Sequence, residues 1–356
     1  MSPASAAPPV RIAMITAKTG VAGKTNSLSF DAARFSVDKI NSEGGILGRS
    51  VELLEFDNRS TPEGSAQAAR QAIKDGVVAV VGCNWSSHSL AMADVLQKAG
   101  VPMVTHMSTN PAVTRVGDYI FRICYTDSFQ GAGLASFARR RLRDKTAVVL
   151  VDESRTYSIG LADTFIRSFE RLGGQILWKG VYHADSVPFA AIIGVVNRYE
   201  PDALFVPGGY EDVSGFFLEA KRTGHDYHLL SGDGVGMKLF DYVGRNVSGI
   251  YFSSHWSRWV NTELSRRFVK EYEQSVGKLK EDTSALVYDS FMLLKDAMER
   301  AGTVDKAKVR DALAATRGFK GITGTIRFDE NGDPIKPMVI NELRFGGIMF
   351  LEQIDP

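Results

Sequence analysis

Two hydroxyl-rich segments hold the residues best able to grip a small polar molecule. They are Cys83-Asn84-Trp85-Ser86-Ser87-His88 and His106-Met107-Ser108-Thr109-Asn110-Pro111, and each follows a short apolar run, residues 77–82 and 101–105. A helix that opens after such a run presents backbone N–H groups with no partner inside the helix, and a neighbouring hydroxyl adds a further hydrogen bond. Ser86 and Thr109, with Trp85, Met107 and Ser108 around them, therefore form a natural seat for a carboxylate. Either hydroxyl taken alone is equally a plain helix cap; their coincidence at adjacent strand ends favours the binding reading. The second half offers a different chemistry in residues 152–157, Gly208-Gly209-Tyr210-Glu211 and Ser231-Gly232-Asp233-Gly234. An acid between glycines, as Asp233 is, leaves the backbone open to close approach, and tyrosines combine a flat apolar face with a hydroxyl, so this set suits a cation and an apolar body. The bland alternative makes Asp233 a turn former and Tyr210 a core aromatic.

Catalytic chemistry finds little support. A dinucleotide fingerprint requires G-x-G-x-x-G directly after the first strand, and the first loop, Lys18-Thr19-Gly20-Val21-Ala22-Gly23-Lys24-Thr25, lacks it. The same loop ends like a phosphate-binding loop, but its first position is Lys18 where glycine is needed. No G-x-S-x-G accompanies Ser86-Ser87-His88, and a sequence-adjacent Ser and His rarely form a working pair. His225 and His228 have no third metal ligand near them, and Cys83 and Cys124 match no zinc spacing. No cofactor and no metal is expected, and the two cysteines read as buried thiols, with a disulfide between them as the lesser alternative.

The elements that must position these residues alternate between strands and helices. Residues 10–16, 51–57, 77–82 and 101–105 read as strands, with a helix over 26–41, another beginning at Thr61-Pro62-Glu63 and a third after Ser86. A second series begins at 146–152 and continues through 175–182, 203–209, 228–234 and 249–254. This order predicts two doubly wound, parallel α/β sheets in tandem. After 254 the chain turns helical, near 263–275, 283–301 and 305–316, and closes with a turn at Asn331-Gly332 and two strands, 338–345 and 349–354. A length of 356 residues suits two lobes, and 42 basic against 41 acidic side chains leave a net charge of +1, which offers nothing to nucleic acid. No apolar run approaches the roughly 18 residues that span a bilayer. Residues 1–9 lack a basic start and an apolar stretch and read as a flexible tail, not an export signal.

The ordered set INSEGGILGRSVELLEFDN (40–58), VVGCNWSSHSLAMADVLQKAGVPMVT (80–105), FRICYTDSFQG (121–131), VPGGYEDVSGFFLEAKRTG (206–224) and FDENGD (328–333) resembles the leucine/isoleucine/valine-binding group of type I periplasmic binding proteins, which serve ATP-driven importers. The likeness covers about residues 10–355. It implies two Rossmann-like lobes joined by a three-segment hinge, near 124–127, 253–257 and 328–331, with 10–126 plus 256–328 forming the first lobe and 127–255 plus 329–356 the second. It further implies a monomer that captures an amino acid between closing lobes and hands it to a membrane permease, in the periplasm, its signal peptide being absent from this sequence. By position, Ser86 matches the serine that holds the ligand carboxylate and Thr109 the threonine that touches both polar ends of the ligand. Tyr157 and Tyr210 match the tyrosines that close over it, and Asp233 stands where the group often has a glutamate for the ammonium. Asp233 is one methylene shorter. Thr25 and Ser284 stand where the branched-chain binder has aromatics, which implies a roomier or more polar side-chain pocket unless Trp85, Tyr125, His255 or Trp256 refills it. The alternative with the same fold is a sensor for amides, urea or aromatic acids.

Overall fold

The computed structural model describes residues 7–279 and 281–356. They divide into two compact units, one running up to Tyr125 and resuming over Val260–Lys336, the other Thr126–Trp259 with Pro337–Pro356. The chain thus passes between units three times. The tail reading for residues 1–6 lies outside the described residues, while Arg49 Nε donates to the Pro8 carbonyl at 2.8 Å and so fastens the start of the first strand.

In the first unit the order is β1 (Val10–Thr16), α1 (Gly23–Asn26), α2 (Leu28–Ser42), β2 (Val51–Asp57), α3 (Pro62–Lys74), β3 (Ala79–Val81), α4 (Ser86–Lys98), β4 (Met103–Thr105) and β5 (Ile120–Arg122). The strands form a parallel sheet in the order β2-β1-β3-β4-β5. β1 is buried along almost its whole length, as its run of β-branched and small residues requires of a strand covered on both faces. The helix expected over 26–41 arrives as two pieces broken at Ser27, whose hydroxyl bonds the Lys24 carbonyl at 3.3 Å and so competes with the helical ladder. α3 starts as its sequence predicts, with the Thr61 hydroxyl accepting from the Gly64 N–H at 2.9 Å and Pro62 in the first turn.

The second unit continues with α5 (Asp127–Phe137), β6 (Thr146–Asp152), α6 (Thr156–Arg171), β7 (Gln175–Tyr182), α7 (Phe189–Tyr199), β8 (Ala203–Phe205), α8 (Tyr210–Arg222), β9 (His228–Ser231), α9 (Phe240–Val243) and β10 (Ile250–Ser254). The first unit then receives α10 (Glu263–Ser275), α11 (Thr283–Ala301), α12 (Lys306–Ala314) and the hairpin β11 (Phe319–Gly321) and β12 (Gly324–Ile326). β13 (Met338–Arg344) and β14 (Gly347–Ile354) return to the second unit, whose sheet runs β14-β13-β10-β9-β8-β6-β7. Its five earlier strands pair in parallel, and only the β10–β13 and β13–β14 pairings are antiparallel. Both parallel sheets therefore reverse direction at one place, between β1 and β3 and between β6 and β8. Loops and helix amino-termini gather at such places, and ligands of open α/β sheets bind there.

Residues 329–336, assigned to the second lobe from sequence, belong to the first unit. Two buried charges hold them there. Asp333 accepts from Arg122 Nε at 2.5 Å, and the wholly buried Lys336 Nζ donates to Thr323 Oγ1 at 2.7 Å and to the Ile123 carbonyl at 3.4 Å. Burial pushes the Lys336 ammonium down to about 8, against the pull of nearby Asp289. A lysine whose folded pKa lies below its unfolded value is held charged in the fold at a cost that is complete below about pH 8 and relieved as pH rises toward the unfolded value of 10.5. The parent should therefore gain up to roughly 3 kcal/mol relative to Lys336→Met between pH 8 and 10.5, read by urea unfolding of both proteins at the two ends of that window. Equal pH dependence of the two proteins would contradict it.

Cys83 and Cys124 are buried free thiols, not a disulfide, and burial pushes the Cys83 thiol up to about 12, which makes it unreactive. Among the described residues no helix is long and apolar enough to cross a membrane.

Candidate functional site

In the first unit the two hydroxyl segments meet. Ser86 opens α4 but does not cap it; the extended Trp85 stands at the cap position, and Ser86 Oγ accepts the Asn110 N–H at 3.3 Å. Both Ser86 and Thr109 are buried, and the Thr109 hydroxyl has no hydrogen-bond partner among the described residues. Burying an unpartnered hydroxyl is unfavourable by about 1–3 kcal/mol, so a polar partner, ordered water or ligand, is expected at this place. Ser108 has a different task from the one predicted. Its hydroxyl lies 2.7 Å from Ser89 Oγ and donates to the Cys83 carbonyl at 3.2 Å, so it ties the two loops together from within. Trp85 and Met107 are half-buried beside them, the indole 5.1 Å from the His88 ring. His88 faces Asn58, with 3.3 Å between its Nδ1 and the amide nitrogen, and burial pushes its pKa down to about 4. It is a neutral core histidine.

At the β1/β3 reversal a polar cluster sits that the sequence reading quoted without assigning. Thr16 Oγ1 donates to Asn84 Oδ1 at 2.7 Å, and His106 Nε2 lies 3.2 Å from the same oxygen and 3.4 Å from Ser29 Oγ. Thr16 and His106 each occupy the place at or just after a strand end, which is the signal that could have found them. Thr25 is turned to its own backbone, its hydroxyl donating to the Ala22 carbonyl at 2.9 Å. Ser284 is buried with its hydroxyl donating to Tyr272 at 3.1 Å, and Tyr272 packs with Phe35 and Phe268. Its small size is filled by this helix packing, so it does not by itself mark an open pocket.

In the second unit the Asp233 carboxylate is held by side chains distant in sequence. Its Oδ1 accepts from Gln130 Nε2 at 3.0 Å, its Oδ2 lies 2.8 Å from His255 Nε2, and its side chain is only 4% exposed. Gln130 Oε1 in turn accepts the Asp233 N–H and the Ser253 hydroxyl, both at 2.9 Å. A buried carboxylate requires donors, and these are supplied from α5 and from the end of β10. A carboxylate offers about four lone-pair sites, so two bonds leave room for a ligand ammonium. Sequence spacing had no means of bringing Gln130, 103 residues away, to Asp233.

The two tyrosines sit at the starts of helices. Tyr157, in the first turn of α6, accepts the Gly234 N–H on its hydroxyl at 3.3 Å. Tyr210 opens α8 half-buried, packed against the edge of the second unit's core and stacked on Tyr242 with 6.2 Å between ring centres, and Lys238 Nζ lies 5.5 Å from its ring. Arg155 fixes both helix starts at the β6/β8 reversal by bridging Asp152 at 3.0 Å and Asp212 at 3.1 Å, while Asp212 also accepts the Gly209 N–H. Burial holds the Asp212 carboxyl above its ordinary value, with the like charges of Asp152 and Glu211 adding and Arg155 opposing. Gly232 is required between these groups: a Cβ there would stand 2.2 Å from the Tyr157 hydroxyl and 2.3 Å from Gln130 Oε1. Gly232→Ala is expected to displace both, lowering ligand affinity about tenfold or more, a loss of at least ~1.4 kcal/mol, with only a modest drop in melting temperature; titration calorimetry of the variant checks it.

Among the described residues no group of three or more His, Cys, Asp or Glu side chains is disposed to hold a metal ion. What the two clusters offer is hydrogen bonding and charge: hydroxyls and helix N–H groups in the first unit, a buried acid and two aromatic hydroxyls in the second. The sequence profile described as periplasmic binding protein matches residues 9–347. The leucine-, isoleucine-, valine-, threonine- and alanine-binding protein of Pseudomonas aeruginosa is 27% identical over 334 residues, 92% of this chain and 88% of its own length. Among solved structures, a leucine-binding protein of Thermotoga maritima is 35% identical with a TM-score of 0.92, covering 98% of this chain and 99% of its own. The branched-chain amino acid transporter substrate-binding protein of Streptococcus pneumoniae, in complex with isoleucine, is 27% identical with the same TM-score and covers 98% and 100%. With two α/β units of mostly parallel sheet and a family match that runs nearly end to end, this chain belongs to the periplasmic binding proteins, in the branch whose relatives are branched-chain amino acid binders of ABC transporters.

Proposed function

We propose that the chain captures an apolar to mixed L-α-amino acid, of the branched-chain kind that its relatives' names describe, and delivers it to the permease of an ATP-driven importer. The observation that carries this is the buried, unpartnered Thr109 hydroxyl beside Ser86 at the strand ends of the first unit. In this reading Ser86, Thr109 and the first N–H groups of α4 receive the ligand carboxylate, Asp233 receives the ammonium, and Tyr157 and Tyr210 pack on the ligand body. Trp85 and Met107 contribute apolar surface near the carboxylate seat. The chain binds its ligand and does not transform it, and it acts in the periplasm. A ligand that engages residues of both units shifts the population toward the form the permease recognises.

A thermal-shift screen of the twenty amino acids, amides, urea and aromatic acids tests the reading, because a ligand that binds only the folded form raises the melting temperature by mass action. A rise with leucine, isoleucine, valine or a similar amino acid supports it. A response confined to aromatic acids, or to urea and amides, would overturn it in favour of a sensor or an importer of another solute.

A further inference from the structure

Arg122, the last residue of β5, is fully buried, and its guanidinium donates from NH1 to the Ser108 carbonyl at 2.5 Å and from NH2 to the Asn110 carbonyl at 2.8 Å. These are the carbonyl oxygens of the two residues that flank Thr109 in sequence. The same NH2 reaches Thr114 Oγ1 at 3.0 Å, and Nε donates to Asp333 Oδ1 at 2.5 Å, which also accepts the Thr114 hydroxyl at 2.8 Å. Asp333 is fixed by its own turn: its N–H donates to Asp329 Oδ1 at 3.0 Å, and its carbonyl accepts the Asp329 N–H at 2.9 Å. The preceding Gly332 has a φ of +75° and passes its carbonyl to the Arg122 N–H at 3.3 Å. A planar guanidinium with five donors in a fixed fork can hold several acceptors at set angles, which an ammonium cannot.

We propose that Arg122 and Asp333 form a positioning clamp that sets the Ser108–Asn110 backbone, and with it the Thr109 hydroxyl and the Asn110 N–H that meets Ser86, for recognition of a carboxylate. The inference rests on the function proposed above, and it adds a residue pair to that site together with a physical link from residues 329–333 to the ligand loop. The clamp fixes the loop before ligand arrives, so affinity for the amino acid depends on a side chain that makes no ligand contact.

The test compares the parent with Arg122→Lys, Asp333→Asn and the double variant Arg122→Met/Asp333→Leu, which removes both buried charges and leaves neither alone. Two quantities are read on each: amide hydrogen exchange of residues 106–111 in the ligand-free protein, and affinity for the amino acid that binds the parent most tightly. The clamp predicts at least tenfold faster exchange confined to 106–111, and at least tenfold weaker binding, in the double variant, even where its melting temperature stays close to the parent's. Arg122→Lys should restore less than half of the lost protection. Parent-like loop exchange in a folded double variant overturns the clamp, whether or not any amino acid binds. Should the double variant fail to fold, Arg122→Lys with parent-like exchange and affinity overturns it equally. A parent that binds no amino acid refutes the function proposed above, while the exchange measurement still decides the clamp.

Discussion

Asp233→Ala weakens amino acid binding by roughly ten- to hundredfold, about 1.4–2.8 kcal/mol, the size expected for losing hydrogen bonds to a charged group. The loss has two sources. The ammonium loses its counter-charge in a site from which water is largely excluded, since the Asp233 side chain is 4% exposed. The Gln130 amide and the His255 ring also lose the acceptor that now holds them, at 3.0 and 2.8 Å. Asp233→Asn keeps one carbonyl oxygen for Gln130 or His255, replaces the other by an NH2 donor and removes the charge, so a loss as large as that in Asp233→Ala shows that one retained acceptor does not rescue binding. Parent-like affinity in Asp233→Asn, measured by calorimetry, would make the acid a structural anchor for Gln130 and His255 and remove it from the site. Ser86→Ala, at the other cluster, is expected to lose about tenfold, or ~1.4 kcal/mol. If neither Ser86→Ala nor Asp233→Ala reaches that size, the site is misplaced.

Asp289→Ala destabilises the protein by about 3–5 kcal/mol, the range for removing one member of a buried charged network. Asp289, on α11, is 1% exposed and accepts the Ile322 N–H at 2.7 Å, the Thr323 N–H at 2.8 Å and the Thr323 hydroxyl at 2.7 Å. Lys336 donates to the same hydroxyl, so Asp289, Thr323 and Lys336 form one buried chain. Alanine leaves two backbone donors without an acceptor and a buried ammonium without its nearest anion. Asp289→Asn, which retains one acceptor, should fall between the two. Urea unfolding at pH 7 measures the difference; a change below about 1 kcal/mol in Asp289→Ala, the size of a single ordinary hydrogen bond, would show that water replaces the carboxylate at little cost.

Much of this molecule was legible before its structure, and the reasons are local. The run VRIAMIT at 10–16 has to be a buried parallel strand, Thr61-Pro62-Glu63 has to open a helix, and Asn331-Gly332 has to turn, because each depends only on neighbours in sequence. Hydroxyls directly after strands singled out Ser86 and Thr109 as candidates by the same logic, and the structure buries both, with Ser86 bonded to the Asn110 N–H. What could not be read is long-range and polar. Nothing near Asp233 announces that Gln130 and His255 hold it, nothing near Thr109 announces Arg122, and Ser108 looked like a ligand group only because its bonds to Ser89 and Cys83 cross between loops. Residues 329–336 were placed in the wrong half for the same reason: a buried Arg122–Asp333 pair and a buried Lys336 decide it, and neither has a periodic signature. Thr25 and Ser284, matched only by position, each have a hydroxyl that donates within the first unit, which spacing alone does not show.

The central claim is that the ligand is recognised at both polar ends, its carboxylate by the Ser86 and Thr109 cluster and its ammonium by Asp233. Titration calorimetry of the parent with L-leucine or whichever amino acid binds most tightly, with the analogue that lacks only the ammonium and with the analogue that lacks only the carboxylate, tests it in one measurement. Saturable binding of the amino acid is expected, with at least a hundredfold weaker binding of either analogue. A carboxylic acid lacking the ammonium that binds as tightly as the amino acid would contradict it.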